Sequence, residues 1–377
     1  MLAIKTVAEI EKPASSNSGL PVMKILLTLV LTSLITMVLL DQKEEIYASL
    51  ILRGAEIQMG NSPTDNFEDG LHVSLCGAGG PLPAPKASGP CVMIVAGEKQ
   101  FVIDAGTNGA RNLARMGYAL GKIDAVFLTH FHSDHIDGLG EMATLRWVST
   151  ANSSPLKVFG PDGVEFVVSG FNAAYAASAL HRNEHHGDEV APLSGRGLIA
   201  KPFPLPPHRT ALEIFRDGDT IIEAITVDHG VVSPAVGYRI RYKDRSALIS
   251  GDSNKSANIA HFAAGIDLLV HDALAPNLVG LINKAAQKLG NQIMAKITID
   301  ILDYHASPME AAETAREANV GHLLLYHIVP PLILPGQSSI FLDGAETIFP
   351  NLTIGQDGTS FSMPVGTQEI NLTRSSL

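Results

Sequence analysis

The stretch Leu128-Thr129-His130-Phe131-His132-Ser133-Asp134-His135 limits this chain more than any other. It reads H-x-H-x-D-H and follows directly on the apolar run Asp124-Ala125-Val126-Phe127-Leu128, which has the character of a buried strand. A loop leaving a rigid strand holds its side chains in fixed geometry. Three imidazoles and a carboxylate within six residues suit a borderline cation such as zinc. They are also more donors than one ion with an open coordination position requires, so the loop points to two ions. The alternative is a polar loop with chance histidines, since the chain has fourteen.

Polar residues recur at the ends of other apolar strands. Asp228-His229-Gly230 follows Ile225-Thr226-Val227, and Ser250-Gly251-Asp252-Ser253 follows Ala247-Leu248-Ile249. His271-Asp272 follows Leu268-Leu269-Val270, Tyr304-His305 precedes a capped helix, and His327 ends Leu323-Leu324-Leu325-Tyr326. A single His or Asp in such a place is more often structural. As a set they supply one ion with His130, His132 and His229 and a second with Asp134, His135 and His327, with the two oxygens of Asp252 bridging. Water between two cations loses a proton near neutral pH.

The 377 residues suffice for one large or two small domains. Net charge is −11 with no visible Lys/Arg cluster, which argues against phosphate-dense partners. Residues 1–22 read as a disordered tail and 23–40 as a membrane anchor or signal segment, with Lys24 ahead of an uncharged run from Ile25 to Leu40. An uncleaved anchor is favoured, because acidic residues and no small-residue cleavage site follow. Either Met1 or Met23 serves as a start. The charge asymmetry puts the remainder on the non-cytoplasmic side, periplasmic in a bacterium. A linker is expected over 41–70, the catalytic domain over 71–363 and a tail over 364–377. Cys76 and Cys91 are expected to be reduced and buried, with one disulfide the alternative for an exported domain. Strands, then a helix, then the same pattern again predict an α/β sandwich of two sheets flanked by helices. Ser307-Pro308-Met309-Glu310 predicts a capped helix to about Asn319. Residues 181–209 read as an irregular His- and Pro-rich surface insertion.

Asp104 after its strand, the T-H-F-H-S-D-H loop, His229, Asp252 in S-G-D-S and His327 together resemble the metallo-β-lactamase fold superfamily. The resemblance covers roughly 71–363. It implies a four-layer αββα sandwich with a dinuclear, usually zinc, site, and an Asp104 that orients the histidine loop rather than binding metal. Manganese or iron also suits such a donor set. Gly77-Ala78-Gly79-Gly80-Pro81, Val227-Asp228-His229-Gly230 and His305-Ala306-Ser307 are similar to motifs of the ribonuclease Z and arylsulfatase-like branch. That likeness implies that His305 and Asp272 protonate the leaving group, beside Asp134 in the catalytic set. Asp272 stands where Glu is common, one methylene shorter.

Ribonuclease Z carries a tRNA-gripping arm between its third and fourth motifs. Here only the span 230–251 lies between His229 and Asp252. With the acidic charge, this makes a small anionic ester (a sulfate ester or phosphodiester) cleaved by hydroxide generated at the metals the expected substrate. Nucleic acid is not expected as a partner, and a homodimer is compatible. The alternatives are a lactonase, thioesterase or β-lactamase on the same fold, a tRNA 3′-processing endonuclease, or a non-enzymatic binding protein.

Overall fold

A computed structural model describes residues 19–60, 62–375 and 377. The chain divides into two units, Met1–Asn61 and Ser62–Leu377. In the first, helix Gly19–Asp41 contains Met23–Asp41, long and apolar enough to cross a membrane by length and composition (mean hydropathy 2.3). Thr28, Thr32 and Thr36 turn their hydroxyls onto the carbonyls of Lys24, Thr28 and Thr32. These three hydroxyls are thereby satisfied within the helix, which suits a bilayer. The disordered tail expected over 1–22 lies outside the described residues for 1–18, while 19–22 belong to this helix. The linker expected over 41–70 instead holds helix Lys43–Gly60. Its apolar residues are spread round the helix rather than along one stripe, so no period stands out in the sequence.

The second unit is built on two sheets. The strands are β1 (Gly70–Gly77), β2 (Cys91–Ala96), β3 (Lys99–Ile103), β4 (Ile123–Phe127), β5 (Leu156–Pro161), β6 (Leu198–Phe203), β7 (Leu212–Asp217), β8 (Thr220–Thr226), β9 (Val236–Tyr242), β10 (Arg245–Ile249), β11 (Leu268–Leu274), β12 (His322–Val329), β13 (Leu352–Ile354), β14 (Thr359–Pro364) and β15 (Asn371–Arg374). Among the described residues, one sheet runs β15-β14-β1-β2-β3-β4-β5-β6 and the other β13-β12-β11-β10-β9-β8-β7.

Both faces of these sheets are covered, so strands such as β2 read as unbroken apolar runs. Period-two alternation still sorts their side chains. Val92 and Ile94 enter the inter-sheet core with Phe101, Phe127, Tyr238, Val270 and Tyr326. Cys91, Met93 and Val95 face the outer layer of helices Gly109–Arg115, Leu139–Ser149 and Val164–His186. The opposite face of the second sheet is covered by helices including Ala257–Phe262 and Pro308–Glu317. The order helix, sheet, sheet, helix is the αββα sandwich expected. Helix Pro308–Glu317 carries the expected capping box, Ser307 accepting from the Glu310 amide while the Glu310 carboxylate accepts from the Ser307 amide.

Several local expectations are corrected. Cys76 and Cys91 form a disulfide, because the β1–β2 register sets Cys91 opposite Gly77 and the two side chains share the outer face. The insertion at 181–209 is largely ordered: helix Val164–His186 runs through its start and β6 pairs with β5. The tail at 364–377 supplies β15, paired to β14.

His322 begins β12 half-buried, its Nε2 2.9 Å from Thr353 Oγ1 and its ring 4.7 Å from that of Phe361. Desolvation lowers its pKa to about 4 from 6.5. The folded state therefore resists protonation that the unfolded chain accepts. This penalty is absent above pH 6.5 and grows as pH falls towards 4, to at most about 3 kcal/mol. His322→Gln should flatten that part of the acid limb, so urea midpoints at pH 7 and pH 4.5 should lie closer together than in the parent. An unchanged gap would show that His322 does not set it.

Candidate metal centre

Strand ends build the site. β3 delivers Asp104, β4 delivers Thr129 to His135, β8 delivers His229, β10 delivers Asp252, and β11 and β12 carry Asp272 and His327. The carboxylate of Asp104 organises the first of these. Oδ1 accepts the Thr129 amide (2.8 Å), and Oδ2 accepts the Thr129 hydroxyl (2.9 Å) and His135 Nδ1 (2.8 Å). The Thr129 hydroxyl, having donated to Asp104, accepts His130 Nδ1 at 3.0 Å. Both rings are thus fixed with Nε2 as the free, lone-pair nitrogen. His229 follows the same logic, its Nδ1 donating to the Tyr304 carbonyl at 2.8 Å.

The free nitrogens converge. His135 Nε2 and His327 Nε2 each lie 3.3 Å from Asp252 Oδ2, and His130 Nε2 and His229 Nε2 lie 3.7 and 3.8 Å from it. Asp134 Oδ2 is 3.2 Å from His327 Nε2 and 3.6 Å from His135 Nε2. His132 Nδ1 approaches His229 Nε2 at 3.5 Å. Three overlapping groups result, each with ligand atoms mutually within 4.8 Å: His130, His132, His229 and Asp252; Asp134, His135 and His327; Asp252, His305 and His327.

His130 Nε2, His135 Nε2 and Asp252 Oδ1 are buried without a hydrogen-bond partner. Buried polar atoms are rarely left so, and unpaired imidazole nitrogens and a carboxylate oxygen within one His/Asp cluster are what divalent cations satisfy. The residues present fit a metal. The electrostatics tie the same residues together. Burial works against charge on Asp252, yet the facing His327 and His135 hold its carboxyl well below the usual range. Burial likewise opposes protonation of His135, and Asp252 and Asp104 outweigh it and raise its pKa well above normal. His130 is pushed well down, first by burial and then by its neighbour His135.

Asp272 and His305 sit beside this cluster. His305 Nδ1 is 3.0 Å from Asp272 Oδ2. Asp272 is fully buried, and although burial opposes its charge, hydrogen bonds from His271 and His305 keep its pKa below the usual value. His305 is placed by backbone ties on both sides: the Ala306 amide donates to the Ser253 carbonyl and the Leu274 amide to the Ala306 carbonyl. All of the singled-out residues are therefore brought together. His185 and His186 are not; they stand exposed at the end of helix Val164–His186.

Other supports were not foreseen. The Tyr238 hydroxyl donates to the Leu128 carbonyl, and the Val236 amide to the Thr129 carbonyl, stitching the second sheet to the histidine loop. A Cβ on Gly80 would lie 2.9 Å from His327 Cε1, so the glycine loop seats directly on that imidazole. Asp357 ties this loop down, accepting from the amides of Ala78 and Ser88 and from Asn112 Nδ2, each at 2.9 Å. A lone Asp-Gly after β13 looks like any surface turn, and only the fold reveals its reach.

The family model described as the metallo-beta-lactamase superfamily matches residues 85–318. A protein called Ribonuclease Z from Mycobacterium sp. (strain KMS) is 33% identical over 290 residues, covering 76% of this chain and 94% of the relative. Ribonuclease Z of Mycobacterium bovis (strain BCG / Pasteur 1173P2) is 34% identical with 76% and 96% covered. Among solved structures, the short form of human tRNase Z superposes with a TM-score of 0.57 at 18% identity, covering 78% of this chain and 100% of that one. A metallo-beta-lactamase fold protein of Bacillus subtilis gives 0.56 at 19%, with the same coverage. These two speak for the fold.

The relatives overturn two expectations, the small anionic ester as substrate and the exclusion of nucleic acid. The first rested on the resemblance to the arylsulfatase-like branch, the second on net charge, the missing arm and the membrane segment. Net charge averages over the whole surface, whereas a nucleic acid is held by local cations. Proteins called ribonucleases match this chain over nearly their full length, so the short span 230–251 does not argue against RNA. With its matched region, its sandwich and its converging His/Asp cluster, the chain belongs to the metallo-beta-lactamase superfamily, on the branch that holds Ribonuclease Z.

Proposed function

We propose that this protein is a metal-dependent endoribonuclease that hydrolyses a phosphodiester in RNA, with 3′-extended tRNA precursors the first substrate to test. The observation that carries this is the full-length likeness to Ribonuclease Z proteins joined to an unsatisfied, buried His/Asp cluster. His130, His132 and His229 would hold one cation and Asp134, His135 and His327 a second, with Asp252 shared. Zinc suits this imidazole-rich set, and manganese or iron is the alternative. Divalent cations held there supply an acidified water and neutralise charge on the phosphate.

The chain's own groups do the rest. Asp104 and Thr129 fix the tautomers of His135 and His130, so that no ring reorients when the substrate arrives. His305, with Nδ1 committed to Asp272, offers Nε2 to the leaving oxygen. A proton passes from that nitrogen to the alkoxide as the P–O bond breaks, and Asp272 stabilises the imidazolium beforehand.

A second proposal concerns placement. The apolar helix Gly19–Asp41 tethers the chain in a bilayer with the second unit on the non-cytoplasmic side, a reading supported by the Cys76–Cys91 disulfide, since such bonds persist in oxidising compartments. The RNA met there would be RNA that has left the cytoplasm. A phosphatase fusion at the C-terminus reads the side directly.

Purified full-length protein should release the 3′ trailer from a tRNA precursor, and a chelator should abolish this. Turnover of bis(p-nitrophenyl) phosphate without any RNA cleavage would reject the ribonuclease reading. His305→Ala should slow RNA cleavage by about 100-fold. It should leave bis(p-nitrophenyl) phosphate, whose leaving group needs no proton, within a few-fold; equal losses would remove the general-acid role. Asp104→Asn cannot accept all three hydrogen bonds and should weaken metal binding by about 10- to 100-fold in calorimetric titration. Unchanged affinity would deny it an orienting role.

A further inference from the structure

One cleft outside the metal centre carries two arginines and no acidic residue. It lies between helices Leu139–Ser149 and Val164–His186, has a volume of about 250 Å³, and is lined by Arg182, Arg196, Tyr175, Ser178, Phe171 and Trp147 among others. No acidic residue lines it, in a chain with 38 acidic against 27 basic residues. Elsewhere among the described residues Arg111, Arg216, Arg239, Arg241 and Arg245 are paired with carboxylates, while Arg115, Arg146, Arg209, Arg316 and Arg374 are not. Arg182 and Arg196 have no such partner among the described residues, and both are exposed. The hydroxyls of Tyr175 and Ser178 likewise have no hydrogen-bond partner among the described residues, whereas Trp147 Nε1 is already bonded to the Pro192 carbonyl. The cleft thus presents two free guanidinium groups and two free hydroxyls over an aromatic floor. It has room for a ring or a phosphate group rather than for a larger ligand.

The cleft is coupled in space to the metal centre. Helix Val164–His186 begins beside Phe131, the residue between His130 and His132: a Cβ on Gly163 would lie 3.2 Å from the Phe131 ring. At about 1.5 Å per residue, Tyr175 and Arg182 stand about 17 and 27 Å along the helix from Val164. Gly140, two residues after the turn that ends the histidine loop, sets the Tyr175 ring: a Cβ there would lie 2.3 Å from Tyr175 Cε2.

We propose that this cleft is the RNA-holding exosite, in which Arg182 and Arg196 grip backbone phosphates several nucleotides from the cleaved bond beside the ring of Tyr175. The inference rests on the ribonuclease reading and gives it the local cations that the span 230–251 does not supply. It makes the helix Val164–His186 a ruler between grip and cut. Arginine is suited to this task, because its planar fork meets phosphate oxygens in pairs.

The test uses the full-length, metal-loaded protein, a 3′-extended tRNA precursor and bis(p-nitrophenyl) phosphate as a probe too small to reach the cleft. The variants are Arg182→Ala with Arg196→Ala and, as a second pair, Arg182→Gln with Arg196→Gln. The expected result is a KM for RNA raised about tenfold or more, with kcat and small-diester turnover kept. The slope of log Kd against log salt should fall by about two, one per lost phosphate contact. An unchanged RNA KM and salt slope in the glutamine pair overturns the exosite and leaves the ribonuclease reading standing. Binding of free AMP that the variants lose, with RNA KM unchanged, also overturns it and assigns the cleft to a mononucleotide. A parent protein that cleaves the diester but no RNA removes both proposals together.

Discussion

The site hangs on one carboxylate. Asp104 sits at the end of β3 with φ of 56°, a left-handed backbone that an aspartate tolerates better than most residues. From there it takes the Thr129 amide, the Thr129 hydroxyl and His135 Nδ1 at once. Each bond removes a freedom that metal binding would otherwise have to remove. The Thr129 hydroxyl then passes the constraint to His130, so one buried charge settles two rings and the path of the loop between them. His327, also left-handed with φ of 47°, is the other strained position, and Gly80 pressing on its imidazole leaves it little room to move. Strain at two residues of one centre is stored where geometry has to be exact to a fraction of an ångström.

The two sheets divide the labour. The first contributes Asp104 and the histidine loop, the second contributes His229, Asp252, Asp272 and His327. Neither set is complete without the other, and the inter-sheet core of Phe101, Phe127, Tyr238 and Tyr326 keeps them in register. Tyr238 links packing to chemistry directly, since its ring fills that core while its hydroxyl holds the Leu128 carbonyl just before the loop. Gly251, with φ of 65°, lets the Asp252 turn lie against Thr129, where a Cβ would come within 2.9 Å of the threonine Cβ.

Much of this was legible from the chain. Strands that end in His or Asp announced the cluster, because buried strands are apolar for packing and a polar residue at the tip has to be used. The helix after Ser307 was legible because a capping box is local chemistry. What escaped depends on distance in sequence. Asp357 looks like a turn residue until the fold brings it to Ala78 and Ser88. The disulfide depended on strand register, which composition does not encode. Helices Pro276–Lys288 and Gln292–Asp300 bury only a few residues each and leave Leu281, Ile293 and Ile299 exposed. The substrate expectation failed for a related reason: total charge averages over a surface, whereas a nucleic acid is held by local cations.

The partnership of Asp357 with the glycine loop fixes when the protein becomes competent. β1 lies between β2 and β14, so the first strand made waits for nearly the last before its second edge is paired. The histidine loop and Asp252 precede by about a hundred residues or more the carboxylate that secures Gly77–Pro90 against His327. Pairing across so wide a separation in sequence is slow relative to local contacts. The centre is thus closed by a late-arriving latch, and its glycine-loop wall gains its last support only when almost the whole second unit is in place.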